Sequence, residues 1–303
     1  MEGKLPKVSV VVPCNNAKKT IEGCLSGLMD QDYPSYEIIV VDDNSNDGTS
    51  ELLDAVDGIT LIVSKANKGP AYSRNKAVKE STGNLILLID SDSLVDDNRL
   101  IAKHVLAHDG HRSHIIGGRI QGIGKSCVAK ADKYSHWFLN IPNSANNVGT
   151  HLVTNNMSMR REVFEGIGGF DIKLRTGEDT DFCERALKSG YKLGLRSDAV
   201  VKHYDRELLK DFVKNFYLTG IDRIPARRKN KHRYWFLLPF GFLSSLIYCL
   251  PLALLLAFQV IHAWFRYDKR VAIYFPLIFI GRVAMTMGIV HYCFCNRFLE
   301  RRK

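Results

Sequence analysis

Six acidic side chains stand in three close pairs along this chain: Asp42 with Asp43, Asp90 with Asp92 across one serine, and Glu178 with Asp179. Neighbouring carboxylates disfavour each other's ionisation, so each pair calls for a positive partner or a cation. Asp90-Ser91-Asp92 is the sharpest case, because five apolar residues, Leu85 to Ile89, run straight into it. Carboxylate oxygens are hard ligands that suit Mg²⁺ or Mn²⁺ rather than zinc. Mg²⁺ is commonly held by one or two carboxylates plus substrate phosphates, so the acids point to a phosphorylated substrate bound through metal. The same residues also suit humbler work. Asp42, Asp43 and Asn44 are turn formers, Asp47 can cap a helix, and Glu178 and Asp179 favour a helix N-terminus.

The elements that must position these acids are legible in the first 100 residues. Residues 7–13 (KVSVVVP) are β-branched and nearly continuous, as in a strand buried on both faces. Ile21, Cys24, Leu25 and Leu28 then recur at helical spacing, with Asn15 or Asn16 placed to cap the helix. Further strands are expected at 36–43, 59–63 and 85–89, with helices at 49–56 and 70–80 between them. This alternation predicts an α/β fold with a mainly parallel sheet and helices on both faces. Ligands in such sheets bind at the carboxyl ends of the strands, where Asp42, Asp43, Asp90 and Asp92 fall. Beyond residue 96 a helix at 97–108, a strand at 115–121 and a helix at 178–189 are expected, the last with Phe182, Ala186 and Leu187 on one side. Residues 122–151 show no clear period.

Five segments, VVVPCNN, IIVVDDNSNDGT, NKGPAYSRNKAV, LLIDSDS and GEDTDFCERALKSGY, occur in the order found in family 2 glycosyltransferases. The chain resembles that family over roughly residues 7–203. The resemblance implies the A-type glycosyltransferase fold and a nucleotide-sugar donor. It implies that Pro13 and Asn15 line the base pocket and that one of Asp42 and Asp43 hydrogen-bonds the base. Lys68, Gly69 and Arg74 would lie near nucleotide and phosphates, Asp90 would face ribose or sugar, and Asp92 would ligate Mn²⁺ or Mg²⁺. Asp179, with Glu178 beside it, matches the catalytic base, and His203 matches a histidine that ligates the metal. A satisfied histidine at a domain edge is the plainer reading of His203. Such a base argues for a hydroxyl acceptor over the phosphate acceptor of the polyprenyl-phosphate sugar synthases, which needs none. The Q-x-x-R-W motif of processive synthases is absent; the matching region reads KNKHRYW. The intact acidic positions argue against a non-catalytic nucleotide-sugar binding protein.

Net charge is +10, and it is concentrated: residues 205–303 hold 17 Lys+Arg against 6 Asp+Glu. The basic third is also the apolar third. Residues 235–265 contain no Asp, Glu, Lys or Arg, and residues 271–295 contain only Arg282. Each run exceeds the roughly 20 residues that cross a bilayer. The expected organisation is therefore a cytoplasmic catalytic region at 1–204, amphipathic basic juxtamembrane helices at 205–234, and a two-helix transmembrane or membrane-embedded hairpin with a basic tail at 235–303. The lysine and arginine clusters flanking the hairpin favour a cytoplasmic catalytic domain. A domain tethered beside a bilayer suggests a lipid-linked polyprenyl or dolichyl acceptor, with residues 122–154, including Trp137 and Phe138, as the place for its contacts. Leu208, Leu209, Phe212, Val213 and Phe216 form one face of a helix that either lies on a membrane or packs on a neighbour. Arg282 faces either a lipid phosphate or backbone carbonyls. Nucleic acid is not an expected partner, since the basic segment carries no nucleic-acid motif. Seven cysteines without a C-x-x-C pair read as reduced small hydrophobes.

Overall fold

The computed structural model describes residues 5–110, 113–137, 151–230 and 242–300. The chain divides into two compact units, residues 1–121 with 143–204, and residues 122–142 with 205–303.

In the first unit, β1 (Val8–Cys14), β2 (Tyr36–Asp42), β3 (Thr60–Val63) and β4 (Leu85–Ile89) alternate with α1 (Ile21–Met29), α2 (Thr49–Asp54) and α3 (Pro70–Glu80). Then come β5 (Ser93–Leu94), α4 (Leu100–Gly110), β6 (Ile115–Gly122), β7 (Asn156–Arg160), α6 (Arg161–Ile167), α7 (Glu178–Lys188) and β8 (Leu193–His203), with α5 (Cys127–His136) in the second unit. One eight-stranded sheet results, in the order β3-β2-β1-β4-β7-β6-β8-β5. β1 pairs in parallel with β2 and β4, and β2 with β3. β7 runs antiparallel to both β4 and β6, so β6 shares the direction of β1 to β4.

The β-branched runs read as two-faced strands, and their residues alternate between two cores. Val8, Val10, Val12, Leu85, Leu87 and Ile89 pack under α1 and α4 with Leu25, Leu28, Leu100 and Ile101. Val11, Ile39, Val41, Ile86 and Leu88 pack on the other face with Ala77 and Val78 of α3 and Phe182 and Ala186 of α7. Helices thus cover both faces, as a parallel sheet requires.

Local details depart from the sequence pattern. The cap of α1 is Thr20, with no side-chain bond; Asn15 and Asn16 instead reach residues 43–46. In α7, Phe182 and Ala186 are buried as expected, joined by Cys183, but Leu187 is exposed. His104 bridges Ser158 and Asn156 of β7, each at 2.8 Å, and burial pushes its pKa down to about 4.

The second unit is helical. Besides α5 it contains α8 (Leu209–Asn230), α9 (Phe242–Phe265), a 3-10 turn (Lys269–Tyr274) and α10 (Phe275–Glu300). Ser126 caps α5 by accepting from Ala129 N, a signal that lay in the stretch without apparent period. α8 continues through Pro225 and packs on α10, so it has the neighbour that one of its two expected readings called for. Of the face expected to be apolar, Phe212 and Phe216 are buried, whereas Leu208 and Leu209 are exposed. The helices touch backbone to backbone: a Cβ on Gly220 would fall 1.9 Å from Met285 O, and one on Gly288 2.1 Å from Tyr217 O. Arg282 is buried and donates to Ser135 O at 2.9 Å, meeting a carbonyl at the end of α5 that lacks an intrahelical partner. Of its two expected roles, Arg282 fills the structural one. Two stretches, Ser244–Phe265 and Lys269–Cys295, are long and apolar enough to cross a membrane. Pro251 lies within α9. Trp264 is buried, with its indole donating to Tyr134 O.

Candidate active site

Strand order reverses direction between β1 and β4: the chain builds outward from β1 through β2 to β3, then returns to place β4 on the other side. Such a switch point opens a crevice at the carboxyl ends of the two strands. Val11 is level with Leu88, so two further residues bring Pro13 and Asp90 to the same edge. The apolar run before Asp90 is therefore buried for a positional reason, since it carries the acids to the ligand edge of a sheet covered on both faces.

Asp90 does not stand there unpartnered. Arg74, only 3% exposed on α3, donates to Asp90 Oδ1 at 2.6 Å and to Glu178 Oε1 at 2.7 Å. One guanidinium thus joins the end of β4 to the first turn of α7. Burial works against the Arg74 charge, but Asp90 and Glu178 hold it protonated. Burial pushes the Glu178 carboxyl up to about 7 against the pull of Arg74, and neighbouring Asp179 adds to the rise. Arg74, expected near phosphates, is committed to these two carboxylates, and its face lies over the Phe170 ring at 5.8 Å.

Asp92 is placed by the short strand β5. Ser93 pairs with His203 in antiparallel fashion, and Tyr204 N donates to Asp92 O at 3.2 Å. This register brings Asp92 Oδ2 to 3.2 Å from His203 Nε2. No group of three or more His, Cys, Asp or Glu suited to a metal occurs among the described residues. The donor pair nevertheless fits a divalent ion: two adjacent ligands of an octahedral Mg²⁺ at 2.0–2.1 Å stand about 3 Å apart, and the remaining positions suit phosphate and water.

The residues expected on the nucleotide side are organised largely by one another. Asp42 is fully buried and accepts from Ser45 N at 3.1 Å, from Ser45 Oγ and from Ser50 Oγ. Asp43 accepts from Lys68 N at 3.0 Å and Gly69 N at 2.6 Å, supplying acceptors for the N-terminus of α3. Gly69 sits there at φ +91, a conformation that favours glycine. Asn15 Nδ2 donates to Asp43 O at 2.8 Å, which ties the end of β1 to that of β2. The Lys68 side chain is exposed and its Nζ lies 4.4 Å from the centre of the Tyr72 ring. Pro13 is buried at the strand end.

Asp179 follows Gly177, whose φ of +76 turns the chain into α7. Its Oδ1 accepts from Thr180 N at 2.6 Å, and its Oδ2 lies 3.6 Å from His151 Nε2. His151 in turn contacts Thr180 Oγ1 through Nδ1 at 3.2 Å. His151 was not among the expected site residues. It stands alone in an Asn- and Ser-rich stretch, and no spacing rule links it to Asp179. Of the stretch expected to meet the acceptor, Trp137 is buried, with its indole 3.4 Å from Asp205, and Phe138 lies outside the described residues.

The model of glycosyl transferase family 2 matches residues 9–168. Glycosyltransferase AglE of Haloferax volcanii is 28% identical over 256 residues, covering 79% of this chain and 83% of the relative. A dolichyl N-acetyl-alpha-D-glucosaminyl phosphate 3-beta-D-2,3-diacetamido-2,3-dideoxy-beta-D-glucuronosyltransferase of Methanococcus voltae is 24% identical, covering 79% and 80%. Among solved structures, the mannosyltransferase PcManGT of Pyrobaculum calidifontis, in complex with GDP-Man and Mn²⁺, superposes with a TM-score of 0.62 at 19% identity over 94% of this chain and 88% of that one. S. aureus TarS 1-349 in complex with UDP-GlcNAc does so with a TM-score of 0.56 at 21% identity, covering 96% and 91%. Five ordered motifs, acids gathered at the switch point and a matching family model lead to one conclusion: the chain is a member of glycosyl transferase family 2.

Proposed function

We propose that this glycosyltransferase is metal-dependent and inverting, and that it moves a sugar from a nucleotide-sugar donor to a hydroxyl of a lipid-linked saccharide. The observation that carries the reading is Arg74, which brings the Asp90-x-Asp92 strand end and the Glu178-Asp179 helix start together through two short ion pairs. Donor-side and acceptor-side acids thereby share one edge. Asp179 takes the proton from the acceptor hydroxyl while its oxygen attacks the anomeric carbon from the face opposite the leaving group. The bond from that carbon to the diphosphate oxygen breaks, and the configuration inverts. His151 orients the Asp179 carboxylate. Asp92 and His203 would hold Mn²⁺ or Mg²⁺, which when bound offsets charge developing on the departing diphosphate. Pro13, Asn15, Asp43, Lys68 and Gly69 form the nucleotide side, supported by Asp42.

The lipid-linked acceptor rests on the apolar C-terminal helices and on relatives. The Methanococcus voltae enzyme is named for a dolichyl phosphate sugar, and WfgD of Escherichia coli, 37% identical over 95 residues, for a diphosphoundecaprenol one. The catalytic unit faces the cytoplasm, where nucleotide sugars are made. The test is a screen of nucleotide sugars with Mn²⁺ and with EDTA, against lipid-diphosphate saccharides and against bare polyprenyl phosphate. Turnover is expected only with metal and only on the saccharide. Transfer to bare phosphate would reassign the acceptor, and turnover in EDTA would remove the metal.

A further inference from the structure

We infer that α9 and α10 do not cross the bilayer: they enter it from one side and lie in a single leaflet, so the protein is monotopic on an anionic lipid surface. Three features within the second unit lead there, and none of them depends on the catalytic reading.

The turn between α9 and α10 is held from outside the hairpin. Tyr134 Oη donates to Asp268 Oδ2 at 2.6 Å, Trp264 Nε1 donates to Tyr134 O at 3.0 Å, and the Tyr134 ring meets those of Trp264 and Tyr274 at 5.2 and 5.6 Å. The turn is therefore fixed to the C-terminal end of α5. The N-terminal end of α5 lies where the chain enters the unit: Glu207 accepts from Lys125 N and Ser126 N, and a Cβ on Gly122 would fall 2.2 Å from Asp205. α5 has 10 residues and so spans about 15 Å. A bilayer core is about 30 Å thick. The turn and both chain entries consequently share one side of the membrane.

A hairpin that crossed with its turn on that side would place the end of α10 on the other side and take α8 with it. α8 runs in the same sense as α10: Phe212 lies by Gly281, Gly220 by Met285, and Ile224 clusters with Ile289 and Cys293. The backbone contacts at Gly220 and Gly288 set α8 against the middle of α10. Yet α8 exposes Lys210, Asp211 and Lys214, and carries half-buried Asp222 within one turn of Gly220. Those charges belong at a lipid–water boundary, not at bilayer mid-depth.

The apolar surface is distributed to match. α9 buries Ala253, Ala257, Val260 and Trp264, a single stripe, and exposes Ile247 (72%), Leu250 (60%) and Leu255 (59%). α10 exposes Ile280, Met287 and Phe294, seven residues apart. Lys210 and Lys214 rim the groove that Met287 and Ala284 line, where long lysine stems follow apolar surface and present ammonium groups to lipid phosphates. Lys269 and Arg270 are also exposed at the turn, and residues 205–303 carry the chain's positive excess, which suits an anionic leaflet.

The experiment uses the full chain with the exposed Cys127 and Cys295 replaced by serine. Single cysteines are introduced as Asp57→Cys, Lys269→Cys and Lys303→Cys. Sealed inverted membrane vesicles are treated with an impermeant maleimide before and after detergent lysis, and labelled peptides are located by mass spectrometry. All three sites are expected to react fully before lysis. Protection of either 269 or 303 until lysis would overturn the inference. In a second assay, Ile247→Lys with Leu255→Lys is expected to abolish co-flotation with phosphatidylglycerol vesicles while leaving thermal unfolding unchanged. Undiminished flotation, or an α9 face that instead joins two copies in solution without lipid, would equally overturn it.

Discussion

Asp92 Oδ2 and His203 Nε2 lie 3.2 Å apart across the pairing of β5 with β8, although more than 100 residues separate them in the chain. This is the spacing of two neighbouring positions on one divalent ion. EDTA is expected to abolish sugar transfer, and Mn²⁺ or Mg²⁺ to restore it. Asp92→Ala is expected to remain inactive at any metal concentration. His203→Ala should weaken Mn²⁺ binding by at least the roughly 10–100-fold typical of disturbing a metal site, as read by calorimetric titration in the presence of a nucleoside diphosphate. Unchanged metal affinity in both variants would detach the pair from metal binding.

Asp179→Asn keeps the shape of the side chain and removes its basicity. The expected loss in kcat is about 10²–10⁴-fold, the range for a general base. Donor binding and melting temperature should stay near those of the wild type. A comparable loss in donor affinity would instead place Asp179 on the nucleotide side.

Arg74 is buried between two acids, so its removal leaves charge without compensation. Arg74→Leu is expected to destabilise the fold by about 3–5 kcal/mol in chemical denaturation, as breaking a buried pair does. Adding Glu178→Leu should recover part of that loss. No recovery would show that Arg74 acts mainly through Asp90.

Glu178 is the group whose titration the structure displaces toward neutrality. Its folded pKa of about 7 exceeds the ordinary 4.5, so the folded state holds the proton more tightly. The stability from this group is complete below about pH 4.5 and is lost as pH rises through about 7. Glu178→Gln mimics the protonated form. Its melting temperature relative to the wild type is therefore expected to climb between pH 5 and pH 8. A relative fall over that window would mean that pairing with Arg74 outweighs burial.

Gly288 and Gly220 let α8 and α10 meet at backbone distance. Gly288→Ala forces a methyl group toward Tyr217 O, which the helices can relieve only by separating. The expected cost is about 1–3 kcal/mol, the usual range for overpacking, seen as a lower melting temperature in detergent. The catalytic unit should retain nucleotide binding.

The strands and helices up to residue 89 follow from the chain alone, because β-branched runs and a 3.6-residue apolar period each admit one regular structure. The acidic pairs, two at strand ends and one at a helix start, are equally local, and so is the apolar length of the C-terminal runs. Other features are set by contacts between distant residues. β8 and β7 are polar and broken by serine, asparagine and aspartate, and they become strands only because neighbours complete their hydrogen bonds. The link from Arg74 to both Asp90 and Glu178, the approach of His151 to Asp179 and the pairing of Asp92 with His203 depend on register and strand order, which no spacing in the chain encodes. Apolar length likewise marks two C-terminal helices as long and apolar enough to cross a membrane. On the inference drawn above, their depth in lipid would follow from what they touch: α5 holds the turn, and charged α8 lies along α10. A helix's own composition sets its affinity for a bilayer, whereas the partners it must carry along set its depth.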